Sequence, residues 1–181
     1  MRNFSETRSR GVGHWQIRRL EWPDIAGLMQ VQEACYGADY MESAEVYRAR
    51  LACTTQCSLA VVDGNTVLAY LAAYRSNLGS ITPIHGGFSV SPLPDTLYLH
   101  DMAVRPDCAG QGLAAALFEA LWREAQTWSP RYSALVSVQG SQGYWAQKGY
   151  ALHTRLTQEN AEALRSYGDD AVYMTQPYVQ P

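Results

Sequence analysis

This chain has little that would commit it to an extracellular, membrane or nucleic-acid setting. Its 181 residues hold four cysteines, Cys35, Cys53, Cys57 and Cys108, which give no disulfide framework for a chain of this length. Cys53 and Cys57 stand four apart, yet a chain passing there from helix to strand separates them. No histidine nearby completes a zinc cluster, so no metal site is expected. Cys108 has no base visibly paired with it and reads as a small loop-packing residue. No run approaches eighteen apolar residues, so no membrane-spanning helix and no membrane partner are expected. The opening MRNFSETRSRG lacks the apolar stretch of a signal peptide, and the expected location is the cytoplasm. Positive charge is not in excess: 14 Lys and Arg face 17 Asp and Glu, for a net charge of −3. A broad basic surface is therefore absent, and nucleic acid is not an expected partner. The small group Arg8, Arg10, Arg18 and Arg19 is expected to be solvated. Neither GxGxxG nor GxxxxGK[ST] occurs, which disfavours a Rossmann dinucleotide site and a nucleoside-triphosphate loop.

The residues present describe one globular domain. Hydrophobic residues make up 47% of the chain and charged residues 17%, and the length suits a single continuous core. Residues 1–12 read as a flexible polar tail, and 13–181 as the domain. Alternation predicts a strand from Trp15 to Leu20. Pro23 and Asp24 then introduce a helix to about Ala34, and Glu42 to Leu51 forms a second. Leu59–Val62 and Thr66–Ala73, joined by Asp63-Gly64-Asn65, give the strongest hairpin signal in the chain. Asn77 to Pro94 is a long Gly-, Pro- and Ser-rich connection, expected to lie over or beside a site. A strand from Leu97 to Val104 precedes a helix from Leu113 to about Trp128. On that helix Leu113, Leu117, Leu121 and Glu124, with Ala116 and Ala120, form one largely apolar face. Ala134–Val138 is a further strand, Ser141–Gln147 a short helix, and Tyr150–Leu156 and Ala171–Thr175 are closing strands. The expected class is α/β, a mixed central sheet flanked by helices.

Most functional information lies between Leu97 and Ala125, where a strand meets the corner Ala109-Gly110-Gln111-Gly112-Leu113-Ala114. Two glycines let backbone pass close to a ligand, and the helix that follows offers unpaired N–H groups in its first turn. Such a corner holds phosphate without a basic side chain. With Val104-Arg105-Pro106 as the strand exit, and with Gly110, Gly112 and Ala114 at small-residue positions, it resembles motif A of the GNAT superfamily. These are the acyl-CoA-dependent N-acetyltransferases. Ala109 departs from the family pattern, which has Gln or Arg there. A second anchor is Tyr144-Trp145-Ala146-Gln147-Lys148-Gly149-Tyr150, similar to the family's late aromatic and glycine segment. The resemblance runs from about Trp15 to Pro177.

That resemblance implies the acyl-CoA N-acyltransferase fold, with acetyl-CoA entering where the Leu97–Val104 and Ala134–Val138 strands diverge. It implies backbone N–H contacts to pyrophosphate from Gln111, Gly112, Leu113, Ala114 and Ala115. It also implies cofactor contacts from Met102 and from the Val104 backbone. The implied activity is acetyl transfer to a primary amine, most simply of a small molecule, by direct attack in a ternary complex. A protein or peptide acceptor and a non-catalytic acyl-CoA-binding domain are the alternatives. The chain is expected to act as a monomer or homodimer.

Acetyl transfer needs a neutral amine, a donor to the developing oxyanion and a route to protonate the thiolate. Alternation along the Leu97–Val104 strand places Tyr98, His100 and Met102 on one face and Leu99, Asp101 and Ala103 on the other. The resemblance implies that acid or histidine residues at the positions of Tyr98 and His100 approach the substrate, which makes His100 the favoured general base, its imidazole titrating near neutral pH. Asp101 is the competing carboxylate. A bulge would change which way Asp101 faces. Glu42, Glu119 and Glu124 have no clear pairing and are expected at helix surfaces. Many family members protonate the thiolate with a tyrosine four positions before the late glycine, but here that position is Trp145. An indole donates a hydrogen bond without giving up its proton. Trp145 is therefore expected to wall the cofactor or acyl pocket, with Tyr144 as the displaced candidate acid.

Overall fold

The structure, a computed structural model, describes residues 5–8, 14–37 and 40–178. Its strands are β1 (Ser5–Arg8), β2 (Trp15–Arg19), β3 (Leu59–Asp63), β4 (Thr66–Ser76), β5 (Thr96–Val104), β6 (Tyr132–Ser137), β7 (Ala151–Leu152) and β8 (Val172–Pro177). They form one mixed sheet in the order β1-β2-β3-β4-β5-β6-β8-β7. β4 lies near the middle and is covered on both sides. Ala69, Leu71 and Ala73 enter one core cluster, while Tyr70, Ala72 and Tyr74 enter the other. A strand that meets water on neither side reads as a nearly unbroken apolar run. That is the character of TVLAYLAAY.

Helices cover the two faces. On one lie α1 (Ile25–Cys35), α2 (Ala44–Ala52) and α5 (Gln158–Arg165), and on the other α3 (Leu113–Ala125) and α4 (Gln142–Gln147). Ser43 caps α2 by accepting from the Val46 N–H at 3.4 Å, and Thr157 caps α5 by accepting from Asn160 at 3.3 Å. α3 buries Leu113, Leu117, Ala120, Leu121 and Ala125, the spacing of one helical stripe. It is the crossover that parallel β5 and β6 require. No helix among the described residues is long and apolar enough to cross a membrane.

Several expectations change in detail. Ser5–Arg8, inside the stretch read as a tail, pairs antiparallel with β2 and adds an edge strand. The closing strand read over Tyr150–Leu156 shortens to Ala151–Leu152, and the polar α5 follows it. Arg18 and Arg19 are not simply solvated. Arg18 grips Asp24 through two hydrogen bonds of 2.6 and 2.8 Å, and Arg19 pairs with Glu124. Glu124 is correspondingly drawn into the protein. Burial raises its carboxyl above the usual range, opposed by Arg19 and Arg75.

Two irregularities in β5 position the site. Against β4, Ala72 pairs with Asp101 but Ala73 pairs with Leu99, so His100 is an extra residue in the ladder. This bulge overturns the simple alternation. His100 and Asp101 both face α1 and α2, together with Tyr98 and Ala103, while Met102 and Val104 turn to the α3 side. On the other edge, pairing with β6 ends at Leu99↔Leu135, although β5 continues to Val104 and β6 to Ser137. The strands part there.

Candidate active site

Where the strands part, Asp101 receives three phenols from three different elements. The Tyr36 hydroxyl, just past α1, donates to Oδ1 at 2.6 Å; Tyr47 of α2 donates to Oδ2 at 2.7 Å, and Tyr70 of β4 donates to Oδ2 as well. Burial foremost, and then the Asp101 charge, hold all three phenols well above the ordinary tyrosine range. They remain protonated donors. α2 places Tyr47 inward together with Arg50, one turn apart on its buried face.

Beside this cluster is a second one built on Glu42. Its carboxylate accepts from both terminal nitrogens of Arg50, from the His85 N–H at 2.7 Å, and faces His100 Nε2 at 3.0 Å. Burial would raise the Glu42 carboxyl, but the hydrogen bonds from Arg50 and His100 outweigh it and hold it well below the usual range. Arg50 also donates to the Gly86 carbonyl at 3.1 and 2.8 Å. The connection from Asn77 to Asp95 is thereby tied to the site rather than laid loosely over it. Ile81 N–H binds Asn160, and the Phe88 ring stacks on Tyr74 with centroids 4.2 Å apart.

His100 is enclosed by these groups, its side chain only 2% exposed. Its Nδ1 lies 3.4 Å from the Tyr167 hydroxyl, which itself donates to the Thr82 carbonyl at 2.6 Å. Tyr167 has one hydroxyl hydrogen. With that hydrogen on Thr82, its oxygen offers His100 an acceptor, and Glu42 offers a second acceptor at the other ring nitrogen. Both ring nitrogens thus already face partners within the protein.

Two adjoining cavities meet at Tyr36, His100, Asp101, Val136 and Val138. The larger, about 290 Å³, passes between the separated ends of β5 and β6 and is lined by Leu99, Met102, Leu135, Tyr144 and Trp145. The smaller, about 50 Å³, is bordered by Tyr40, Ile84 and Tyr167. Trp145 packs edge-on against Tyr150, with centroids 5.5 Å apart, and forms a wall of the larger cavity. Tyr144 lies in the same wall and is 44% exposed. Tyr150 is not available to the cavity, because its buried hydroxyl sits 2.6 Å from Ser133 Oγ.

The glycine corner has the backbone expected of an anion cradle. Gly110 and Gly112 adopt φ of +76° and +81°, and Gly112 directly precedes α3. A side chain at either would project into open space, with no atom within 4 Å of its first carbon. The Gln111 N–H turns back to the Cys108 carbonyl at 3.4 Å, and the Ala116 N–H bonds the Gly112 carbonyl at 3.0 Å. The N–H groups of Gly112, Leu113, Ala114 and Ala115 precede that first helical bond and have no intrahelical acceptor. On β5, the Met102 and Val104 carbonyls lie 3.1 Å from Tyr36 Oη and Cys35 Sγ, so this backbone edge faces away from β4.

Glu42, Arg50, Tyr36, Tyr47, Tyr70 and Tyr167 were not singled out from sequence, and Glu42 was expected on a surface. Tyr47 and Arg50 at helical spacing on a buried face are the signal that a charged partner is needed inside. A chain with twelve tyrosines also has phenols to place.

A model of the acetyltransferase (GNAT) family matches residues 25–150. Comparison with curated proteins finds no match. Among solved structures, the ribosomal-protein-S18-alanine N-acetyltransferase from Escherichia coli is 16% identical with a TM-score of 0.66, over 92% of this chain and 96% of that one. The loading GNATL domain of CurA from Lyngbya majuscula is 12% identical with a TM-score of 0.71, over 91% and 98%. The PaiA N-acetyltransferase from Thermoplasma acidophilum, in complex with coenzyme A, is 11% identical with a TM-score of 0.60, over 91% and 99%. At such identities the likeness is one of fold.

Proposed function

The chain belongs to the acetyltransferase (GNAT) family, and on that premise we propose that it transfers an acetyl group from acetyl-CoA to a primary amine of a small molecule. The observation that carries this reading is the pair of cavities meeting at Asp101 and Tyr36. One lies along the opened strand edge and suits a long donor arm. The other is narrow, with Ile84 of the Asn77–Asp95 connection in its wall, which supports a slender small-molecule acceptor over a protein chain.

Acetyl-CoA supplies the activated acyl group as a thioester. The chain's part is to hold and orient it. The free N–H groups of Gly112 to Ala115 suit the pyrophosphate, where a dipole and open space coincide. The N–H groups on the edge of Met102 and Val104 that turns away from β4 suit the pantetheine carbonyls, and Trp145 limits the acyl end.

The amine proton goes to Asp101 in this reading. A carboxylate has about four lone-pair positions, and the three tyrosines leave it room for one further donor. His100 then acts by position: held by Glu42 and Tyr167, it fixes the bulge that turns Asp101 toward the acceptor. Tyr144, on the larger cavity, is the group placed to return a proton to the leaving thiolate. The test is thiol release from acetyl-CoA against a panel of amino acids, polyamines, aminoglycosides and peptides. Turnover with a small amine supports the proposal. Turnover with peptides alone, or coenzyme A binding without any turnover, overturns it.

A further inference from the structure

The smaller cavity holds an uneven set of charges. Glu42 is answered by Arg50 and faces His100, and Arg50 also donates to the Gly86 carbonyl. Asp101 meets only neutral phenols, and among the described residues no lysine or arginine pairs with it. A carboxylate ringed by neutral donors is well hydrogen-bonded but keeps its charge uncompensated. Around it stand the rings of Tyr36, Tyr40 and Tyr167 and the apolar side chains of Ile84, Val136 and Val138. Aromatic surface and negative charge together favour an organic cation.

Size narrows the class. A cavity of roughly 150 Å³ is enough to take a benzene ring, whereas this one is about 50 Å³. The smaller cavity has no room for a whole sugar or aromatic ring within it, but it admits a thin methylene arm. An acidic group on that arm would approach Glu42 and Asp101 with Arg50 and His100 already turned onto Glu42.

We infer that the acceptor is a primary alkylammonium on an unbranched arm that carries no carboxylate or phosphate. The inference rests on the acetyltransfer reading above, since it names the acceptor of that site. It excludes free α-amino acids and phosphorylated amino sugars, and it admits simple alkylamines and polyamines.

The test is calorimetry on coenzyme A-saturated protein near neutral pH, titrating n-butylamine, γ-aminobutyrate and cyclohexylamine. The expected result is n-butylamine binding at least about tenfold more tightly than either of the others. Equal binding of γ-aminobutyrate or cyclohexylamine overturns the inference. So does an absence of n-butylamine binding while coenzyme A binds normally, and that result leaves the acetyltransfer reading standing. Failure of coenzyme A itself to bind, read in a separate titration, overturns both. Asp101→Asn should remove the preference for n-butylamine over γ-aminobutyrate. The wild-type series stands without that variant if it fails to fold.

Discussion

At Asp101 the decisive quantity is the number of protons offered to one carboxylate. Three come from Tyr36, Tyr47 and Tyr70, and Asp101 lines both cavities. Replacing it by Asn keeps most of the shape but removes the group proposed as the base. Asp101→Asn should therefore lower kcat/KM by roughly 10²–10⁴-fold when chemistry limits the rate, and stopped-time thiol release across pH measures it. His100→Gln is expected to cost less than about tenfold, with the pH profile unchanged, because a positioning group does not titrate in the reaction. Loss of the basic limb in His100→Gln would return the base to the imidazole. His100 and Asp101 were legible in sequence because they sit side by side on a strand next to the glycine corner. Glu42 was not. Its partner histidine lies 58 residues away, and no local pattern reveals that the two meet. Tyr36 and Tyr70 are hidden in the same way, since a tyrosine in an apolar stretch looks alike whether it packs or donates.

Among the elements, the bulge in β5 and the Asn77–Asp95 connection set the geometry. Helix α3 and the β3–β4 hairpin were legible because helical and strand periodicities are local. The bulge was only a possibility in sequence, because register is decided by the neighbouring strand. Edge strand β1 and helix α5 escaped for lack of apolar periodicity. The connection carries a specific test. A Cβ on Gly86 would lie 2.9 Å from the Pro83 carbonyl oxygen, and the Gly86 carbonyl is the one that receives Arg50. Gly86→Ala should displace this corner and raise the acceptor KM several-fold, while coenzyme A affinity by calorimetry stays unchanged. Gly112→Asp makes the complementary change. It forces a side chain into a backbone of φ +81° and brings negative charge to the expected phosphate position. The left-handed geometry alone costs about 1–2 kcal/mol, and coenzyme A affinity should fall strongly with the acceptor site intact.

For the molecule as a whole, the buried Glu42–Arg50 pair ties stability to pH. The folded state holds the Glu42 carboxyl below its ordinary range, so on acidification the unfolded chain takes up that proton first. The contribution is fully present above about pH 5 and is lost as pH falls through the lower carboxylate range. Urea midpoints against pH should show this slope, and Glu42→Gln should flatten it. Arg50→Leu should cost roughly 3–5 kcal/mol, since it leaves a carboxylate buried without its partner. The sheet adds a mechanical consequence. β1 to β5 form one slab and β6, β8 and β7 another, with four backbone pairs from Thr96↔Tyr132 to Leu99↔Leu135 joining them. Past that short seam the slabs stand open like the covers of a book along its spine. A pantetheine arm between Met102–Val104 and the end of β6 would serve as the missing strand, closing the sheet as well as delivering the acyl group. Amide exchange in β6 and β8 should then slow when coenzyme A binds, far from any atom that takes part in the reaction.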